Sequence, residues 1–201
     1  WNTFEHLPEV PDKYEEQVEI FNDLFKESLK LRLRSDVSIG TALSGGIDSS
    51  SVYCMLQHIM KTDTSYERIP DNWQKAFIMT FPGTSIDEQR FAEEVMKYTK
   101  GEAVYLVSKY SNLIQSIVAS TKLFDSITGT PILSVTEAYK AMRKNGICVS
   151  MDGHGVDEMM YGYSSSVYRT LLDTLQSGNH ERVEEMTNTF INLFPAAQQN
   201  V

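Results

Sequence analysis

The sequence predicts an α/β fold, a doubly wound parallel β-sheet with helices on both of its faces. Short apolar runs of strand length alternate along the chain with longer segments in which apolar residues recur at helical spacing. That alternation is typical of parallel strands, each joined to the next by a helix. Residues 164–201 contain helical patterns only, and we expect them to begin a helical subdomain.

Length and composition fit one globular domain with a buried core. The chain has 201 residues, of which 41% are hydrophobic and 22% are charged. Its formal net charge of −9 argues against binding to nucleic acid or to an anionic membrane, since both require a basic face. No apolar run approaches the ~20 residues of a membrane span, and no signal peptide is visible. We expect a cytoplasmic protein.

The cysteines and the first residue bear on the compartment and on the length of the natural protein. Cys54 and Cys148 lie inside apolar patterns, and we expect small core residues in a reducing compartment rather than a disulfide. The chain opens on Trp1 and not on Met, so we expect it to be an excised piece of a longer protein.

The first half of the chain predicts helices and strands in alternation. After a polar arm, the patterns place helices at residues 14–34, 50–60 and 87–100 and strands at residues 37–43, 75–81 and 103–107. The polar stretch 61–73 lacks periodicity and is typical of a surface loop. On the third helix we expect Phe91, Ala92, Val95 and Met96 to face inward.

The second half of the chain adds a fourth strand and further helices. We predict helices around residues 110–121 and 134–145, a strand at residues 147–151, and helices at residues 164–177 and 180–194. The segment between the fourth strand and residue 164 contains three glycines and a short helical pattern.

The segment "LSGGIDSS", residues 43–50, ends the first strand and opens the second helix. In an open parallel sheet, ligands bind at the carboxyl ends of the strands. Gly45 and Gly46 let the main chain turn sharply and approach a ligand closely. Because the free N–H groups in the first turn of a helix favour an anion, the segment predicts an anion site.

Four polar side chains in the same segment extend this prediction. Ser44, Ser49 and Ser50 supply hydroxyl donors, and Asp48 suits a Mg²⁺ that stands between its carboxylate and a phosphate. The alternative is a plain glycine turn with Ser and Asp as helix caps. Strand, glycines, carboxylate, hydroxyls and helix occur in the order that a phosphate site needs, which favours the site. No G-x-x-x-x-G-K-[ST] motif is present, so this is not the common P-loop.

A second segment with similar chemistry, "SMDGHGVDEMMYGY" at residues 150–163, follows the fourth strand. Gly153 and Gly155 flank His154, and Asp157 lies at the start of a short helix. The alternative is again a glycine-bounded turn with acidic residues in a helix's first turn. Since both segments follow strands, a doubly wound sheet would bring them to the same edge.

The chain resembles the synthetase domain of asparagine synthetases, within the ATP-pyrophosphatase (PP-loop) superfamily. The likeness rests on "LRLRSDVSIGTALSGGIDSSSV", "FIMTFPGTSIDEQRFAEEV" and "GHGVDEMMYGY", which occur in the family's order and approximate spacing. It implies an adenine-nucleotide α-hydrolase-like sheet. We therefore expect residues 1–13 to be a linker or arm, residues 14–163 to be the synthetase domain, and residues 164–201 to be an incomplete helical extension.

The resemblance implies an ATP-dependent, AMP-forming carbon–nitrogen ligase with ATP and Mg²⁺ as its ligands. A small-molecule carboxylate would be adenylated with release of pyrophosphate, and ammonia or an amine would then displace AMP. The family's glutamine-hydrolysing domain, with its amino-terminal Cys, would precede Trp1, and a lysine that supports amide formation would follow residue 201. We therefore expect the 201-residue chain alone to be inactive.

The resemblance also implies roles for individual residues. The loop at residues 44–50 would hold the pyrophosphate, and Asp48 and Asp157 would share one Mg²⁺. Main-chain groups near Asp152 and Gly153 would contact the adenosine.

Main-chain groups just before the glycine loop and in the second strand would hold the adenine base in the family. These positions correspond to Ala42 or Leu43 and to Met79. Met79 is equally well explained as a core residue of its strand.

One part of the family pattern is absent. Asparagine synthetases usually carry Ser-Gly-Glu-Gly where this chain has Asp152-Gly153-His154-Gly155, and the Glu is thought to act in amide formation. The imidazole of His154 can also move a proton near neutral pH, but it cannot present a carboxylate to an amine. We expect ATP and Mg²⁺ binding to be retained, while the identity of the acceptor stays open. His154 would act on the acceptor side, and the alternative is a plain exposed loop histidine.

A different class of function stays open from the sequence alone. The same fold could serve as a non-catalytic nucleotide-binding module that regulates another protein. Retention of both Asp48 and Asp157 speaks against this alternative, because adenosine binding alone would not need two metal carboxylates.

Overall fold

The computed structural model describes residues 9–35, 37–63, 72–108, 113–126 and 131–193. Within these ranges the helices are α1 (Tyr14–Arg32), α2 (Ile47–Thr62), α3 (Gln89–Thr99), α4 (Leu113–Phe124), α5 (Pro131–Lys144), α6 (Val156–Met160), α7 (Ser164–Gln176) and α8 (His180–Leu193). The strands are β1 (Ile39–Ala42), β2 (Gln74–Thr80), β3 (Glu102–Val107) and β4 (Val149–Ser150). Most of the predicted arm and the centre of the predicted loop at residues 61–73 lie outside the described residues.

In the described residues, the strands form one parallel sheet in the order β3-β2-β1-β4. β1 pairs with β2 through Ile39 opposite Gln74, and with β4 through Ile39 opposite Val149. The chain moves outward from β1 to β3 and then crosses back to β4, so the strand order reverses beside β1. Ligands of such sheets bind at the carboxyl ends of the strands near this reversal. The predicted parallel α/β sheet is confirmed.

Helices cover both faces of the sheet. On one face Ile78 of β2 packs in a cluster with Tyr53 of α2 and Ala92 of α3. On the other face Phe77 packs with Met142 of α5. Phe77 and Ile78 are consecutive, so their opposite orientations follow from the two-residue alternation of a strand. Burial on both sides explains why the centre of β2, residues 76–79, is a continuous apolar run.

Helix α1 packs against α2 over only part of its length. Leu29 near its end is buried with Val52 and Leu56 of α2. Nearer its start, Phe21 and Leu24 are 54% and 64% exposed. The helical spacing of the apolar residues therefore predicted the helix correctly, although only its second half carries a buried side chain.

Two expectations about the core are wrong. Phe91 is 46% exposed, and the guanidinium of Arg90 lies 4.5 Å from the centroid of its ring. Cys148 is exposed and accepts a hydrogen bond from Arg143 at 2.8 Å, whereas Cys54 is half-buried. An apolar neighbourhood in the sequence does not show which side chains face the sheet. Phe91 lies near the start of α3 and Cys148 directly before β4, at the boundary of the core.

Contacts divide the chain into two compact units, Trp1–Gly153 and His154–Val201. The first holds the sheet with α1 to α5, and the second holds α6 to α8. In the second unit the rings of Tyr168 and Phe190, on α7 and α8, lie 5.5 Å apart. This division does not test the domain boundary after residue 163, which stays a prediction. Over the described residues, no helix combines the length and the apolar character needed to cross a membrane.

Candidate functional site

The glycine segment leaves the sheet where β1 ends. The Leu43 N–H still donates to the Phe77 carbonyl at 3.0 Å, so pairing with β2 continues one residue past the strand. Helix α2 then begins at Ile47, with Gly46 as its N-cap residue. Three residues, Ser44 to Gly46, thus connect the carboxyl edge of the sheet to a helix N-terminus, as the sequence predicted.

Gly45 is required by the local conformation and by close packing. Its φ is +90°, in the left-handed region that favours glycine. A Cβ at this position would collide with the main chain of Phe91 and Ala92 at the start of α3. The loop is therefore held against a second helix, and its shape is set by the protein itself.

Gly46 differs from its neighbour in both respects. Its φ of −64° and ψ of 162° are accessible to any residue. A Cβ there would approach only the Ser44 hydroxyl, at 3.2 Å, and the residue is exposed. The contacts of the described residues do not require glycine at position 46. A bulky residue would instead occupy the space in front of the first turn of α2.

Two of the three serine hydroxyls bond within the loop. Ser49 Oγ accepts the N–H of Ser44 at 3.3 Å and lies 3.1 Å from Ser44 Oγ. Ser44 Oγ also accepts the Gly46 N–H at 3.1 Å. Ser49 is buried and Ser44 is exposed, so Ser49 stabilises the loop while Ser44 remains accessible to a ligand. That these hydroxyls donate to a phosphate stays a prediction.

The first turn of α2 is open to an anion. Among the described residues, no side chain caps the helix, so its first N–H groups lack the partner that a serine or aspartate usually provides. Asp48 lies in this turn and is half-buried. The Ser50 hydroxyl is buried without a hydrogen-bond partner in the described part of the chain. The uncapped N–H groups of this turn and one carboxylate thus occur together, which suits a phosphate with a divalent cation, whereas the buried Ser50 hydroxyl is not accessible to a ligand.

The segment that follows β4 packs directly on this turn. A Cβ on Gly153 would lie 2.6 Å from the Ser49 nitrogen and 2.7 Å from the Asp48 carbonyl carbon. Only a glycine permits so close an approach of two main chains. Asp48 and Gly153 are far apart in the sequence, and the sheet brings them together at one edge.

The carboxylate of Asp152 joins the ends of the two strands. Its Oδ1 accepts the Ala42 N–H at 2.6 Å. Its Oδ2 accepts the hydroxyls of Tyr139 at 2.8 Å and of Ser150 at 2.7 Å. The Met151 N–H donates to the Gly40 carbonyl at 2.9 Å. The Asp152 side chain therefore extends the connection between β4 and β1 by one residue beyond this main-chain hydrogen bond.

Tyr139 and Ser150 were not identified from the sequence. Tyr139 lies on α5, and Ser150 lies within β4. Tyr139 is 40% exposed. Its partial burial, with the hydrogen bond to Asp152 and the Asp152 charge adding to it, raises the pKa of Tyr139 to about 12. A hydroxyl with so high a pKa stays protonated and donates to the carboxylate. No motif marks either residue, because only the fold places α5 beside the end of β4.

The main-chain groups expected to hold an adenine base differ in availability. The N–H groups of Ala42 and Leu43 are engaged with Asp152 and Phe77. Leu43 is buried and Met79 is half-buried. Main-chain groups of successive strand residues point to alternate neighbouring strands. The Phe77 carbonyl bonds toward β1. The main-chain groups of Met79, two residues later, therefore point the same way, beyond the end of β1.

The remaining predicted residues lie in the second compact unit. Gly155, with φ of +90°, is the N-cap residue of α6, and Asp157 is half-buried in the first turn of this helix. The Gly162 N–H donates to the Asp157 carbonyl at 2.9 Å, and a Cβ on Gly162 would collide with the Asp157 carboxylate. His154 is exposed.

The Mg²⁺ pair proposed from the sequence is divided between the units. Asp48 belongs to the first unit and Asp157 to the second. In the described ranges, no group of three or more His, Cys, Asp or Glu residues is arranged to hold a metal ion by itself. A two-carboxylate set still fits Mg²⁺, which usually keeps several waters and binds substrate phosphates. The shared metal stays a prediction.

Comparison with known proteins relates the chain to one family. The asparagine synthase family model matches residues 21–198. Amidase chry2 of Gibberella zeae is 28% identical over 197 residues, covering 90% of this chain and 28% of that protein. Amidase chyE of Penicillium rubens is 31% identical over 174 residues, covering 78% and 25%. Glutamine-hydrolysing asparagine synthetase B of Escherichia coli is 28% identical over 147 residues, covering 69% and 26%.

These comparisons cover most of this chain but only part of each relative. The chain spans about a quarter of the length of the curated relatives it matches. Among solved structures, an NH3-dependent NAD synthetase from Campylobacter jejuni gives a TM-score of 0.44 at 15% identity, over 76% of this chain and 61% of that one. This structural similarity is slight. The family model includes both glycine segments, and the chain therefore belongs to the asparagine synthase family.

Proposed function

We propose that this chain is the ATP-binding synthetase domain of an amidotransferase that activates a carboxylate by adenylation. The observation that carries the proposal is the packing of Gly153 on Asp48 and Ser49 in a family member. It brings two glycine-rich segments, at the ends of β1 and β4, together at an uncapped helix N-terminus. Attack on the α-phosphorus of ATP by the substrate carboxylate would form an acyl-adenylate and release pyrophosphate.

The first turn of α2 and its loop would hold the leaving pyrophosphate. The N–H groups of this turn would stabilise the negative charge that develops as the bond between the α- and β-phosphates breaks, and their positions are set by the helix before the reaction. The exposed Ser44 hydroxyl adds a donor, and Gly46 leaves space for the phosphates. A Mg²⁺ held by Asp48 and Asp157 would neutralise phosphate charge in the same place.

Main-chain groups would hold the adenosine end of ATP. The N–H and carbonyl of Met79 point past the end of β1, and these are the donor and acceptor that an adenine edge requires. The Ala42 N–H is occupied by Asp152, so this group would not contact the base directly. Main-chain groups of Asp152 and Gly153 would lie along the sugar, in agreement with the family resemblance.

His154 would serve the second half of the reaction. The nitrogen donor has to lose a proton as it attacks the acyl-adenylate and displaces AMP. A neutral imidazole accepts such a proton near neutral pH. In the complete protein, ammonia would come from a glutaminase domain, because several relatives are named as glutamine-hydrolysing asparagine synthetases.

The test is carboxylate-dependent exchange of labelled pyrophosphate into ATP by the complete protein, with aspartate as the first carboxylate tried and a panel of other acids after it. Exchange that requires both the acid and Mg²⁺ supports adenylation. Gly46→Val should abolish the exchange, since the valine side chain fills the proposed phosphate space at a cost to the fold of only about 1 kcal/mol. ATP binding without exchange for any acid would instead indicate a non-catalytic nucleotide-binding module.

A further inference from the structure

The hydrogen bonds of Asp152 connect an element outside the nucleotide loops to the loops themselves. Asp152 binds Ala42 of β1 through one carboxylate oxygen and Tyr139 of α5 through the other. Ala42 lies two residues before Ser44, and Asp152 directly precedes Gly153. The carboxylate therefore sets the distance between the two segments on which the proposed function depends.

We propose that Tyr139 is a positioning residue for this site, which holds the Asp152 carboxylate in place and through it the ends of β1 and β4. This inference rests on the proposed function. Tyr139 would touch neither ATP nor the reacting atoms, and it would act only through Asp152.

Helix α5 gives Tyr139 a fixed point of attachment. Ala138 and Met142, on the same helix, are 4% and 3% exposed, and Met142 packs against Phe77 and Ile147. The backbone at Tyr139 is thereby anchored to the sheet on the face opposite α2. Its hydroxyl reaches Asp152 from this face, while Ala42 reaches it from the neighbouring strand.

Close packing transmits the position of Asp152 to the phosphate-binding turn. Gly153 follows Asp152 directly and lies against the main chain of Asp48 and Ser49 without room for a Cβ. A shift of Asp152 by a few tenths of an ångström would therefore displace Gly153 and press on the first turn of α2. Well-packed contacts of this kind transmit small displacements because they cannot absorb them.

The hydroxyl is available as a donor at every working pH. The raised pKa of Tyr139 means that the phenol stays protonated up to about pH 12. A hydrogen bond to a charged acceptor is roughly twice as strong as one between neutral groups. Loss of this single oxygen should therefore be measurable while the ring keeps its packing.

The experiment compares Tyr139→Phe with the wild type in the complete protein. The first measurement is the affinity for Mg²⁺ with α,β-methylene-ATP, which cannot be cleaved at the proposed bond. We expect the variant to bind up to about tenfold more weakly, because the free energy of one lost hydrogen bond to a charged group sets the upper limit of this indirect effect. Tyr98→Phe is the matched control, because Tyr98 is 82% exposed on α3.

A second measurement needs no nucleotide. Hydrogen exchange at the Ala42 amide, followed by NMR in the nucleotide-free protein, should be faster in Tyr139→Phe and unchanged in Tyr98→Phe. In an Asp152→Ala background, Tyr139→Phe should change neither the exchange rate nor the affinity further, because its acceptor is already gone. If the phenol had a purely structural role, Tyr139→Phe would have the same additional effect in the wild type and in the Asp152→Ala variant.

The outcomes separate this inference from the proposed function. If the wild type binds the nucleotide and Tyr139→Phe binds it equally well, Tyr139 is not a positioning residue and the proposed function stands. If the wild type does not bind the nucleotide, the proposed function is wrong and this inference is wrong with it. Unchanged Ala42 exchange in Tyr139→Phe also overturns the inference.

Discussion

Gly153 lies against the main chain of Ser49, so closely that a Cβ on the glycine would stand 2.6 Å from the Ser49 nitrogen. The first residue follows β4 and the second lies in the first turn of α2, 104 positions earlier in the chain by their numbers. This contact makes the two glycine segments one structural feature.

Replacing Gly153 by Ala should affect both stability and nucleotide binding. The added methyl group meets main-chain atoms of Asp48 and Ser49, which cannot rotate away, so we expect a loss of about 1–3 kcal/mol of unfolding free energy. Urea denaturation and titration with Mg·ATP measure the two effects. Full stability together with full affinity in Gly153→Ala would mean that the two segments are not in contact.

Gly46→Val and Gly45→Ala should separate binding from folding. Gly46 has an ordinary φ, and a Cβ there would approach only the Ser44 hydroxyl, so its valine variant should lose ATP binding and change the unfolding free energy by only about 1 kcal/mol. Gly45 has a positive φ and lies against α3, so even alanine should cost about 2–4 kcal/mol there. Thermal unfolding and ATP titration of both variants check this. Retained ATP affinity in a folded Gly46→Val protein contradicts the phosphate site.

Asp48→Asn and Asp157→Asn should act as one unit. If the two carboxylates share a Mg²⁺, either change should lower carboxylate-dependent pyrophosphate release on the order of 100-fold. The double variant should be little worse than either single one, because the metal is already lost. Asp173→Asn, at an exposed position of α7, is the control. If the two losses simply multiply in the double variant, the residues do not share an ion.

His154→Ala should separate nucleotide binding from amide formation. We expect nearly unchanged Mg·ATP affinity and product formation slower by roughly 100-fold, as for a lost acid–base group. His180→Ala, at an exposed histidine in the second unit, is the control for general effects of losing an imidazole. Turnover close to that of the wild type would show that His154 takes no part and that another residue handles the proton.

The sequence predicted the fold from periodicity alone, because both faces of the sheet bury apolar side chains. The centre of β2, residues 76–79, is continuously apolar, and Val52, Leu56 and Ile59 recur at helical spacing on α2. Where an element is only partly covered, as at Phe21 and Phe91, the same spacing did not reveal which residues are exposed. Burial depends on the neighbouring element, and a one-dimensional pattern does not contain it.

The candidate site could be predicted as far as its residues belong to local motifs. Gly45, Asp48 and Gly153 were identified because turns and helix N-termini have residue preferences that act over a few positions. Tyr139 was not, because its role depends on a hydrogen bond to a residue 13 positions away in a different element. The sequence also did not reveal that glycine is required at position 45 and not at position 46, since this difference depends on the contact of Gly45 with α3.

The sequence by itself therefore determined the order of strands and helices, the two glycine segments and the carboxylates near them. These features follow from interactions between residues a few positions apart, which a linear pattern records. The tertiary structure alone decided that Gly153 packs on Ser49, that Asp152 binds Ala42 and Tyr139, and that Gly45 but not Gly46 is required by its contacts. The first two depend on the pairing of β1 with β4 and on the position of α5, and the third depends on the packing of α3 against the loop. The residues meet only because the fold brings distant parts of the chain together.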